Sequence, residues 1–211
     1  MVRRAWVLAL ALGACAPPQV LHLNLFTVTD DEVPADDAAL AAVGTAQAIL
    51  GQAGLRLRVD RRLILRDTPW SSIDVVTDPG EPPRGPAAQL CARGAALAAQ
   101  DALAVFVVDR LPLGLAGFAQ GATGPWGALP SDCRGAFVRR DKPAALGPVL
   151  AHELAHFLGL PHVRTITPDG LAHDDLIADT EPGTDNLMEH GTHLTPGQVV
   201  VLASSALLRH D

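Results

Sequence analysis

Leu21, Leu23, Leu25 and Thr27 alternate with His22, Asn24, Phe26 and Val28, a period of two that predicts a first β-strand. Over residues 34–50 the period changes. Leu40, Val43, Gln47 and Leu50 recur at helical spacing in an Ala-rich background, and Gly51 and Gly54 end the run. Leu55, Leu57 and Val59 then alternate with Arg56, Arg58 and Asp60, a second strand with one wet face. Strand, helix, strand predicts a parallel pair joined by a crossover. Five prolines between 67 and 86 make that stretch a surface connection. Residues 87–100 read as a helix, and 102–108 as a strand buried on both faces. Glycines punctuate 113–129 as a loop, and the short segment 135–139 follows as an edge strand. The last element is a helix opened by Thr195-Pro196-Gly197-Gln198, where Thr195 and Gln198 can form a capping box. Val199, Leu202, Ala206 and Leu207 would face the core, with Arg209 and His210 in its last turn.

The 211 residues fit one globular domain with a sizeable core. A net charge of −7, without a Lys/Arg cluster interleaved with aromatics, argues against nucleic acid as a partner. The first fifteen residues combine Arg3 and Arg4, an apolar stretch over 5–12 and small residues before Cys15, the pattern of an export signal. Leu12-Gly13-Ala14-Cys15 resembles a bacterial lipobox, so Cys15 is the expected lipidation site and 16–211 a single catalytic domain. Ala16 resembles the sorting position of outer-membrane lipoproteins. Membrane contact would be through the lipid alone, around a soluble and monomeric body. Outside the cytoplasm Cys91 and Cys133 become a candidate disulfide, the other reading being two unrelated small residues.

The informative stretch is 147–162, GPVLAHELAHFLGLPH. Pro148 can open a helix that runs to Leu158, which puts His152 and His156 at i and i+4 on one face, where two imidazoles can share one ion. Gly159 allows a sharp exit and Pro161 prevents helix from resuming, so His162 can return to the same ion. Three neutral nitrogens leave the fourth tetrahedral position of zinc open to water, as in catalytic sites. Glu153, beside the first ligand, is the expected general base towards that water. By chance this five-position pattern would arise with a probability on the order of 10⁻⁵ to 10⁻⁴, too small for coincidence to compete.

His152, Glu153, His156, Gly159 and His162 match the H-E-x-x-H-x-x-G-x-x-H signature, and the chain resembles the metzincin metallopeptidases. The resemblance implies an α/β (α+β) zincin-type domain. It would comprise a small twisted mixed sheet, a backing helix, a zinc-site helix, a methionine-containing turn below the metal and a C-terminal helix. Met188, in Asn186-Leu187-Met188, is the candidate for that turn. Asp175, Asp179, Thr180 and Pro182 ahead of it most resemble the pappalysin-like branch. That resemblance would make 135–139 the edge strand that aligns substrate by β-addition. The chain has no tyrosine, so the tyrosine that some metzincins carry just after the turn cannot operate here. Oxyanion stabilisation then falls to the zinc ion, His190, His193 or backbone amides.

The expected activity is zinc-dependent endopeptidase action on a protein or peptide substrate, with water activated by Glu153. The alternative is a lipoprotein of the same fold that binds zinc or peptide without turnover. Asp174, Asp175, Asp179 and Asp185 crowd the segment between the third ligand and Met188. Either a solvated acidic loop or a calcium site built on Asp175, Asp179, Thr180 and Asp185 would account for them.

Overall fold

A computed structural model describes residues 18–29, 36–66, 70–74, 85–99, 101–120, 135–166 and 169–210. The strand around which it is assembled is β1 (Gln19–Val28), buried throughout 20–28 because it has neighbours on both edges and apolar layers on both faces. Then follow α1 (Asp36–Leu50), β2 (Leu55–Leu65), α2 (Gly85–Leu97), β3 (Leu103–Val108), β4 (Gly117–Gln120), β5 (Gly135–Arg139) and α3 (Pro143–Phe157). The C-terminal part carries the hairpin β6 (Arg164–Ile166) and β7 (Ala172–Asp174), then α4 (Pro196–Ala203) and β8 (Arg209–His210). The main sheet runs β2-β1-β3-β5-β4, with β8 added to β1. β1, β2, β3 and β5 are mutually parallel, while β4 and β8 are antiparallel to their neighbours. The architecture is a mixed α/β one, and among the described residues no helix is long and apolar enough to cross a membrane.

The two faces of the sheet carry different cores. Leu21, Leu23 and Leu25 face a layer made by α1 and α3, whereas Phe26 and Val28 face α2. On β2 the switch is made by a bulge: Val59 pairs with Leu23 and Arg61 with Asn24, which leaves Asp60 opposite nothing. One extra residue inverts the alternation. Leu57 and Val59 therefore pack on the α1 side while Leu63 and Leu65 pack on the α2 side. The carboxylate of Asp60 meets His22 Nδ1 at 2.8 Å. Asn24, also buried, closes the α2-to-β3 connection: its side chain accepts from Ala99 N at 3.1 Å and donates to Ala99 O at 3.2 Å.

Four of the five phenylalanines form a ladder across the α2 face. Phe26, Phe106, Phe137 and Phe118 are register partners on successive strands, and their rings stack at centroid distances of 5.0, 4.8 and 4.6 Å. Such cross-strand pairs fix register as well as adding contact energy.

Several expectations change. The segment 135–139 is not an edge: β5 lies between β3 and β4, and among the described residues the edge on that side is β4, inside the stretch read as a glycine-punctuated loop. Pairing with β5 and stacking of Phe118 on Phe137 hold those four residues extended. The helix bearing the histidines opens at Pro143, not Pro148, which sits inside it. Pro148 is the sixth residue of the helix, so it costs that helix one intrahelical N–H bond. The last helix has the expected capping box, but it stops at Ala203, so Ala206 is exposed and Arg209 and His210 belong to β8.

Gly94 of α2 lies against the ladder, and a Cβ there would stand 2.6 Å from Phe106 Cζ. Gly94→Ala would gain about 1 kcal/mol of helix propensity. Overpacking against a ring fixed between two others should cost roughly 1–3 kcal/mol. The expected outcome is a lower urea midpoint for Gly94→Ala; an unchanged or raised midpoint would show that Phe106 can yield.

Candidate metal centre

The helix α3 presents His152 and His156 one turn apart, with the intervening Ala155 and Leu154 buried against the sheet. Beyond Leu158 the chain turns sharply. Gly159 takes φ 105, a left-handed value that favours glycine. Gly159 N donates to His156 O at 3.1 Å and Leu160 N to Ala155 O at 3.0 Å. His162 is thereby folded back, and its Nε2 lies 3.1 Å from His152 Nε2 and 3.2 Å from His156 Nε2.

A carbonyl oxygen can only accept, so a ring nitrogen facing one must carry the proton. His152 Nδ1 donates to Leu187 O at 2.7 Å and His156 Nδ1 to Leu160 O at 2.8 Å. Both tautomers are therefore set, and both Nε2 lone pairs point at His162. Among the described residues, these three make the one His/Cys/Asp/Glu group whose ligand atoms could share an ion. A tetrahedral ion bonded to nitrogen at about 2.0–2.1 Å separates its ligand nitrogens by about 3.3 Å, close to the spacing here. The residues fit a metal.

Burial strengthens the fit. Desolvation is the largest influence on all three imidazoles: it lowers His152 to about 4 and His156 to about 3, and lowers His162 as well. Ligation needs neutral imidazole, and His152 and His156 stay neutral well into acid. Glu153 is buried on the same helix, and its carboxyl is pushed up to about 8 by desolvation. It packs beneath β4: a Cβ on Gly117 would stand 2.8 Å from Glu153 Oε1. The missing side chain of Gly117 is what lets the edge strand pass over the carboxylate.

Met188 is buried in the core shared with α1 and α3, on the turn whose preceding residue gives its carbonyl to His152. Met188 O also accepts from Val163 N at 3.3 Å, next to His162. This turn is clamped to α4 by two buried amides, with Asn186 Nδ2 to Gln198 Oε1 at 3.0 Å and Gln198 Nε2 to Asn186 Oδ1 at 2.9 Å. Gln198 Oε1 also accepts from Thr195 N at 3.1 Å, completing the capping box.

Among the four calcium candidates Asp175 and Thr180 are hydrogen-bonded to each other, while the carboxylates of Asp175, Asp179 and Asp185 do not form one ligand group. Asp175 accepts from Ile177 N and Thr180 Oγ1. Asp179 caps α4, accepting from Gly197 N and Thr195 Oγ1 at 2.8 Å each, and those bonds hold its carboxyl below the usual range. Asp185 accepts from Thr192 N at 2.9 Å and faces His193 Nε2 at 3.3 Å. Thr180 Oγ1 also donates to Ile177 O at 2.8 Å, so these side chains serve loop and cap geometry. Cys91 in α2 is disulfide-bonded, and its partner lies outside the described residues, as do Cys15 and Cys133. Sequence reasoning missed Leu187 O, Leu160 O and the Asn186–Gln198 clamp. Backbone acceptors have no residue-type signature, and Gln198 read only as half of a capping box. Gly117 was visible as one of a cluster of glycines, without a sign that it covers Glu153.

No protein-family model matches the chain, and no curated protein matches it. Among solved structures it is similar to a chain described as "Structure of a chaperone-substrate complex", at a TM-score of 0.46 and 13 % identity. The overlap covers 72 % of this chain and 28 % of that one, so the chain spans under a third of that protein. A likeness at this level bears on neither family nor activity.

The opposed shifts at the site predict a pH optimum for the metal-free fold. His152 and His156 sit below the ordinary 6.5, so the unfolded chain binds more protons and stability falls as pH drops from about 6.5 towards 4. Glu153, raised from 4.5 to about 8, holds its proton better when folded, so stability falls as pH rises from about 4.5 to 8. Thermal melts of chelator-treated protein should show a fall between pH 6.5 and 8 that Glu153→Gln abolishes; an equal fall in the variant would remove Glu153 as its source.

Proposed function

We propose that the protein is a zinc-dependent endopeptidase of the metzincin type. The observation that carries this reading is the convergence of three Nε2 atoms beside a buried glutamate that is not one of them. His152, His156 and His162 would hold the ion, and a set of three neutral imidazoles suits zinc while leaving one tetrahedral position open. The signature from His152 to His162 and the Met188 turn support assignment to that family.

Bound there, zinc would supply Lewis acidity, polarising the scissile carbonyl and acidifying water towards a pKa of about 7. Glu153 does the proton work. Its carboxyl, raised by burial in the metal-free protein, would stay ionised and basic beside a bound cation. It takes a proton as the water oxygen bonds to the carbonyl carbon, and delivers that proton to the amide nitrogen as the C–N bond breaks. The substrate-aligning role expected of 135–139 passes to β4: this edge starts at Gly117, over Glu153, and an extended peptide added along it would run past the base. The lipobox resemblance at Cys15 supports an exported protein held at a bacterial outer membrane by lipid alone.

Purified protein should hold close to one zinc per chain. Glu153→Gln should keep the zinc and lose at least about 10²-fold in hydrolysis of a broad peptide library, whereas His156→Ala should lose metal and activity together. Zinc-loaded protein that cleaves nothing, with Glu153→Gln binding the same peptides equally well, would replace the enzyme by a zinc- or peptide-binding lipoprotein. For the anchor, Cys15→Ser should move the protein from the membrane fraction to the soluble one; unchanged fractionation would reject lipidation at that residue.

A further inference from the structure

The main sheet has two outer edges. One is β4, to which a peptide is assigned above; the other, among the described residues, is β2. β2 carries Arg56, Arg58, Arg61 and Arg62, all exposed, against one acid, Asp60. The chain as a whole has a net charge of −7, so this strand is a basic strip on an acidic protein. Asp60 answers part of that charge, with Arg58 Nε at 3.3 Å from one oxygen and His22 Nδ1 at 2.8 Å from the other. Arg61 is turned to the end of α2, where its Nη1 donates to Leu97 O at 2.7 Å.

The bulge at Asp60 decides how the strip is laid out. Before it Leu57 and Val59 pack on the α1 side, so Arg56 and Arg58 stand on the opposite face. After it Leu63 packs on the α2 side, so Arg62 stands on the α1 face. The arginines therefore straddle the edge instead of coating one face, and a strip of that shape meets a flat surface edge-on. Charge on an edge also discourages pairing with other chains, but a few charges are enough for that.

The tether selects the surface. Gln19, the first residue of β1, is the register partner of Leu55, and Val20 that of Arg56. Gln19 is itself held in place, its Nε2 donating to Ala203 O at 2.8 Å. Three residues separate it from Cys15, so the two Cα atoms are at most about 14 Å apart. An acyl chain on Cys15 would keep the start of β2 near the headgroups, whose potential is felt within about 8 Å at physiological ionic strength. We propose that β2 is a membrane-docking edge, which lays Arg56, Arg58 and Arg62 on the phosphates of anionic phospholipids. This rests on the lipobox reading of Cys15 and goes beyond its lipid-only contact. With β2 on the bilayer, β4 stands four strand spacings away, about 19 Å, and Glu153 lies beneath its Gly117. A peptide then reaches the catalytic edge from solvent, without crossing the headgroups.

The test uses the lipidated protein in nanodiscs of phosphatidylcholine, with or without phosphatidylglycerol. Arginines are modified with phenylglyoxal and read by peptide mass spectrometry. Arg56, Arg58 and Arg62 should react at least about fivefold more slowly on the anionic discs, and high salt should remove the difference. Arg164, on the exposed β6–β7 hairpin, should react equally on both. Arg56→Gln combined with Arg62→Gln should unshield Arg58, each arginine lost lowering the ratio of docked to undocked protein about fivefold. Arg56→Lys combined with Arg62→Lys should keep Arg58 shielded, and both variants should hold zinc as the parent does. Equal modification on the two discs, or shielding that survives in the glutamine variant, would overturn the docking. So would self-association of the glutamine variant with no lipid-dependent shielding in the parent, which leaves the arginines only as guards of the edge. Stronger shielding by a polyglutamate peptide on neutral discs than by anionic lipid would give the edge to an acidic polypeptide instead. An N-terminal peptide without an acyl chain would remove the anchor and the docking with it, whereas acylated protein modified equally on both discs removes the docking alone.

Discussion

A buried imidazole can offer a lone pair to an ion only if its other nitrogen has found an acceptor, and in this protein that requirement organises the whole C-terminal half. His156 is served locally, by Leu160 O at the exit of its own helix. His152 is served by Leu187 O, thirty-five positions away in sequence. The second bond exists only if the segment after His162 returns across the helix. That return is held by Val163 N on Met188 O, by the amide pair of Asn186 and Gln198, and by Asp179 on the first turn of α4. Gln52 adds a tie from below α1, donating to Thr192 O at 2.9 Å and accepting from Leu194 N at 3.3 Å. These contacts thus serve the aim of one nitrogen.

The sheet performs a different task on each face. On one side α1 and α3 bury aliphatic residues and set the height of the histidine helix, whereas on the other the phenylalanine ladder locks four strands in register. Register matters to the site because β4 is the last rung. Phe118 stacks on Phe137, and the residue before it, Gly117, is thereby set over Glu153. A slip by one residue would put a side chain where the carboxylate needs space. The extra residue Asp60 lets β2 contribute to both faces although Leu55, Leu57, Val59, Leu63 and Leu65 all fall at odd-numbered positions.

What could be read in the sequence follows from which interactions are local. β1, β2 and α1 declare themselves by period, β3 by a continuous apolar run, the capping box of Thr195 and Gln198 by spacing, and the histidine trio because its ligands fall within eleven residues. β4 and β8 were illegible because four and two residues carry too little pattern, and pairing alone makes them strands. The strand over 135–139 was visible but its place was not, since being interior depends on β4 being present. The acidic loop read as dense charge, and only the structure shows Asp179, Asp185 and Asp175 each turned to a backbone N–H.

The pairing of Gln19 with His210 and Val20 with Arg209 has a kinetic meaning. β1 is buried along nearly its whole length, yet its neighbours β2, β3 and β8 arrive progressively later along the chain, and β8 arrives at the far end of the described residues. Contacts so distant in sequence must close large loops before they bring any gain, and chains dominated by them form slowly. The histidine trio and its local acceptor Leu160 need none of those closures. His156 can therefore find its acceptor long before Leu187 comes round to orient His152, so the two tautomers are fixed at separate times.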